Sequence, residues 1–133
     1  MSGGLVTNQG AKVMLNRTYK ETPDYLAPTQ FKIGTGTTDA NLTDTDLETP
    51  VTIDATAFKD FVVGYPTIDE TNFVTTIRCF VASTEANGNE ITEFGIVNED
   101  ATKKLISRDV FTAISKADTD EIVFIQKDTL DIN

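Results

Sequence analysis

The sequence predicts a mainly β fold, an antiparallel sandwich or barrel carrying one N-terminal helix, and three observations predict it. Short runs alternating apolar and polar residues recur at roughly even spacing, as half-buried strands do. Turn residues separate them, most legibly at Asn87-Gly88-Asn89 and at Asn98-Glu99-Asp100. One stretch, Leu5 to Lys20, instead places apolar groups at helical spacing. At 133 residues the chain makes a single domain, residues 1–133, with the helix over about residues 5–20 and the β-domain over about residues 29–133.

In "LVTNQGAKVMLNRTYK", Thr7 or Asn8 can cap the helix, and Ala11, Met14, Leu15 and Thr18 share a face. Gly10 weakens it by about 1 kcal/mol relative to Ala and predicts a frayed first turn. The face suits either core packing or partner docking, with Leu5 and Val6 as exposed apolar handles in the second case. Pro23 stops the helix. Thr29 to Gly34 reads as a strand with Phe31 and Ile33 on one side. The next stretch, "GTGTTDANLTDTDLETP", is poor in large apolar residues and predicts a long surface loop pinned by Leu42 and Leu47. Val51 and Ile53 alternate before a bend near Asp54; Phe58 to Val63 is extended, with a helical turn at Ala55 to Lys59 as the alternative.

Tyr65-Pro66 ends that segment, and Asp69 to Asn72 is a turn. Phe73 to Thr84 is the longest β-like run. Its apolar residues on both sides suit a central strand whose second face is covered in part, by the helix or by another subunit. Ile91 to Asn98 and Lys104 to Lys116 form a hairpin, with Gly95 marking a bulge or a close backbone approach. Glu121 to Lys127 is the last strand, which Leu130 and Ile132 extend.

Composition removes most chemistry. Lys and Arg number 11 against 21 Asp and Glu, a net charge of −10 that repels phosphate backbones, so no nucleic-acid partner is expected. With no histidine, the commonest general base and zinc ligand are missing. The lone Cys79 forms no intramolecular disulfide and reads as a core thiol. No apolar run reaches the roughly 20 residues that span a bilayer, and Met1-Ser2-Gly3-Gly4 has no signal-peptide character, which predicts assembly in a cytoplasm without membrane insertion.

"GTGTT" lacks the lysine of a phosphate-binding loop, and no GxSxG elbow occurs. Asp39, Asp44, Asp46 and Glu48 do not follow EF-hand spacing and read as a solvated loop. No catalytic, cofactor-binding or metal-binding residue is expected, and no enzyme activity. Arg108, Asp109 and Lys116 read as partners in surface or interface ion pairs.

Taken in order, "LVTNQGAKVMLNRTYK", "FKIGTGTT", "DTDLETPV", "GNEITEFGIVNED", "LISRDVF" and "ISK" resemble the N-terminal module of bacteriophage tail-fibre proteins, over most of the chain. The resemblance implies an attachment domain that fastens a trimeric fibre to the tail or baseplate. A fibre would continue into a shaft and tip. The expectation here is therefore a smaller virion component, such as a fibre-base, adaptor, baseplate-peripheral or collar protein. Its partners would be itself, as a trimer or ring, and other virion proteins. The helix and the Ile91 to Phe111 hairpin become the expected docking elements, with Leu5, Val6, Met14, Phe94, Ile96, Arg108 and Phe111 as interface residues. The alternative is a carbohydrate- or receptor-binding sandwich, in one version assisted by calcium at Asp39 to Glu48.

Overall fold

The computed structural model describes residues 4–132, so Met1, Ser2 and Gly3 of the leader reading lie outside the described residues. In chain order the elements are β1 (Leu5–Val6), α1 (Asn8–Tyr19), β2 (Pro28–Gly34), β3 (Lys59–Asp60), β4 (Thr67–Asp69), β5 (Val74–Val81), β6 (Asn89–Asn98), β7 (Leu105–Lys116) and β8 (Ile122–Thr129). They form two antiparallel sheets, one ordered β1-β7-β6-β2-β3 and the other β4-β5-β8. The sheets pack as a sandwich, not a closed barrel. The reason is visible at the turn Ala117 to Asp120: β7 and β8 follow each other directly, yet join different sheets and leave that side open.

Alternation along the strands builds the core. Phe31 and Ile33 of β2 and Phe94 and Ile96 of β6 face Ile77, Cys79 and Val81 of β5 and Phe124 of β8, all buried. Phe94 stacks on Phe124 across the sandwich at 4.7 Å between ring centroids, and Phe31 and Phe111 extend the aromatic column at 5.9 Å each. Such offset pairs add about 0.5–1.5 kcal/mol each beyond the area they bury. Burial pushes the Cys79 thiol far above its ordinary value, so it stays a protonated packing group.

The helix departs from expectation in an instructive way. Thr7 caps it, its hydroxyl accepting from the Gly10 amide and donating to the Leu105 carbonyl. The expected packing face is exposed, Met14 at 45% and Leu15 at 61%, while Gly10 and Val13 are buried. A Cβ at Gly10 would lie 2.1 Å from the Ile106 carbonyl oxygen. The missing side chain lets the helix settle directly on β7, so Gly10 marks the contact and the first turn is formed.

Other boundaries shift for local reasons. Leu47 is buried as expected, but Leu42 is exposed and contributes its carbonyl to the Asn8 amide instead. Between Val51 and Gly64 only Lys59–Asp60 is strand; Ala55, at φ +63°, excludes the helical turn. Three-residue β4 has too little pattern to announce itself and exists by pairing with β5. The last strand stops at Thr129, before Leu130 and Ile132. The second face of β5 is covered in part from within the chain, by the Lys59 ammonium 5.4 Å above the Phe80 ring.

Candidate functional site

On β6 the register slips between Ile91 and Glu93, and both Thr92 and Glu93 reach the loop that follows β2. Glu93 is fully buried, a costly place for a carboxylate unless every lone pair is used. It is used: the oxygens accept from the amides of Gly36, Glu48 and Thr49 and from Arg108 Nε at 2.8–2.9 Å. Arg108, only 2% exposed, donates its remaining groups to the Asp44 carboxylate and to the carbonyls of Thr38 and Asp39. A Cβ at Gly34 or Gly36 would approach the Glu93 carboxylate to 2.5 Å. The glycines of "GTGTT" thus cradle an anion, but one supplied by the chain's own β6.

Two further loop acids, Asp46 and Glu48, have partners within the chain. Asp46 pairs with Lys32 at 2.6 Å. The Thr38 hydroxyl, with the backbone N–H groups of Thr38 and Thr37, holds the Glu48 carboxyl below its ordinary value. Among the described residues no group of three or more His, Cys, Asp or Glu could hold a metal ion. No helix among them is long and apolar enough to cross a membrane.

The expected interface residues separate into two sets. Phe94, Ile96 and Arg108 are at most 2% exposed, the first two in the core and the third in the Glu93 cluster, so none of them offers a docking surface. Strand alternation identified them as apolar or charged but could not tell the interior from an interface. Phe111 is half-buried against the Phe124 ring. Leu5, Val6 and Met14 are exposed, at 40%, 39% and 45%.

Val6 and Met14 line one groove together with Phe73, Thr75, Lys127, Asp128, Thr129 and Leu130. It lies where α1 and β1 meet the end of the second sheet. Phe73 and Leu130 are apolar residues that sequence reasoning placed within strands. In the structure both lie outside them, at 44% and 67% exposure, and the Leu130 amide donates to the Phe73 carbonyl at 3.0 Å. Phe73 adopts φ +59°, a left-handed conformation that costs a bulky residue of order 1 kcal/mol or more. Met14, Thr75 and Asp128 also line a smaller cavity that reaches Ile77, Ile96, Ile106 and Gln126. There the Gln126 amide nitrogen donates to Asp128, while its oxygen is buried without a partner among the described residues.

No protein-family model matches the chain, and neither the curated proteins nor the solved structures searched include a match.

Proposed function

We propose that the chain is a structural component of a tailed-phage virion, a fibre-base, adaptor, baseplate-peripheral or collar protein that works by protein–protein assembly. The groove between α1 and the end of the second sheet supports this reading most. It gathers apolar side chains in the open, around a phenylalanine held in a costly backbone conformation. The chemistry is consistent with assembly: the Asp44, Asp46 and Glu48 carboxylates have internal partners and the only thiol is buried. That internal pairing gives no support to a calcium-assisted sugar site at Asp39 to Glu48.

The test is mass spectrometry of purified particles from a phage that encodes this chain, alongside a variant carrying Met14→Asp and Leu130→Asp. The parent chain is expected in the particles in a fixed copy number, and the folded variant is expected to be depleted from them. Absence of the parent from particles would overturn the virion reading. Full incorporation of the variant would overturn the role of the groove.

A further inference from the structure

We propose that β8 is a self-pairing edge: two copies of this chain join β8 to β8 antiparallel about a two-fold axis at Phe124, making one continuous six-stranded sheet. The inference rests on the assembly reading and deepens it by naming a surface and a second copy of the chain as its partner, but it does not need the particle to be a phage.

Four strands end the two sheets, and they differ in length. β1 and β3 have two residues each and β4 has three, which leaves little backbone to template another strand. β8 has eight residues. Among the described residues its only strand neighbour is β5, with unbroken register from Val74↔Thr129 to Val81↔Ile122. Alternate residues of β8 therefore turn their N–H and C=O groups away from β5. No proline, glycine or bulge interrupts this edge.

The outward face of β8 says which strand would fit. Val123, Ile125 and Lys127 follow one another there, with Glu121 immediately before the strand at the same two-residue spacing, all exposed, Val123 at 41% and Ile125 at 39%. Neither Glu121 nor Lys127 has an ion-pair partner among the described residues. Read in the reverse direction, the pattern acid, apolar, apolar, base complements itself. With Phe124 on the two-fold axis, Val123 stands across from Ile125 of the second copy, and Glu121 across from its Lys127, each pair occurring twice. Moving the axis to Val123 sets Glu121 against Ile125. Moving it to Ile125 sets Val123 against Lys127. Only the Phe124 register matches apolar with apolar and opposite charge with opposite charge. The same register ends the ladder at residues 121 and 127, because one step further Asp128 would meet Asp120. On β5, Phe80 sits beside Val123 and continues the apolar stripe away from the seam on each side.

The experiment measures dimerisation by sedimentation equilibrium for the parent, Glu121→Lys, Lys127→Glu and the double swap. The parent is expected to be a dimer. Each single swap creates two facing like-charge pairs and is expected to weaken association about tenfold or more, with the double swap restoring it. Glu121→Lys makes an acidic chain less negative, so loss of the dimer in that variant runs against the general repulsion between copies. Mixing Val123→Cys with Ile125→Cys protein under oxidation is expected to give more cross-linked dimer than either alone. A parent that stays monomeric at the highest soluble concentration overturns the proposal, as does a dimer indifferent to all three charge variants. A monomer found in particles would overturn the pairing alone; a dimer absent from particles would overturn the virion reading alone.

Discussion

β6 and β8 are both strands with apolar groups on each side, and the structure treats them oppositely. On β6 the inner face meets the second sheet through Phe94 and Ile96, and the outer face is closed by the chain's own loop. Gly95 has so little room on that outer side that a Cβ would come within 2.8 Å of Leu47. On β8 the inner residues Ile122 and Phe124 are buried, whereas Val123 and Ile125 remain open. Two-sided apolarity therefore states that a strand needs cover without stating whose chain provides it. A segment almost without large apolar residues provides it for β6, because Glu93 and Arg108 fasten it through its backbone. Only Leu47 adds a hydrophobic contact, in a small cluster with Val97 and Leu105.

The largest test of this contrast is Arg108→Met. Removing the cation leaves Glu93 buried and uncompensated, and breaking a buried pair in that way costs about 3–5 kcal/mol. Urea unfolding of the variant measures it; a loss below about 1 kcal/mol would mean that the cluster does not hold the loop. Next comes Leu47→Ala beside Val123→Ala. The first empties a buried site and is expected to cost about 2–3 kcal/mol, while the second alters an exposed one and is expected to cost well under half as much. Equal losses in a monomeric protein would erase the distinction between the covered strand and the open one.

The smallest effect is one of pH. Because the folded Glu48 pKa is lowered from its ordinary 4.5, its contribution to stability is complete above that value and is lost as pH falls through the lowered one. The amide resonances of Thr37 and Thr38 are expected to titrate with a midpoint below 4.5. A Thr37 or Thr38 midpoint at or above the ordinary value removes this carboxylate from the loop's support.

The fold was legible where its causes are local. Alternation and turn residues place both strands of the β6–β7 hairpin within two residues, and the end of the helix within one; its start falls three residues later than expected, because Leu5–Val6 pair with β7 as strand β1 and Thr7 caps the helix after them. The parts that were not legible depend on residues far apart in the chain. The local pattern offers Arg108, with Asp109 and Lys116, only as a partner in surface or interface ion pairs; its partners are buried Glu93 and the loop's Asp44, which nothing in that pattern connects to it. Gly10 was read as a weakness of the helix, because the carbonyl it accommodates belongs to Ile106. The groove eluded strand periodicity because Phe73 and Leu130 belong to it by falling just outside regular structure. Of the seven residues expected at an interface, the three at the start of the chain and on the helix are on the surface, and the deepest three are not.

The mooring of the loop at both ends has a practical consequence. Gly36, Thr38 and Asp39 are tied to Glu93 or Arg108 on one side of exposed Leu42, and Asp44, Glu48 and Thr49 on the other. A protease cutting beside Leu42 would leave two stubs, each still anchored. The nicked molecule should keep its outline, and that peptide bond is a natural place to graft an epitope or a reporter without opening the sandwich beneath it.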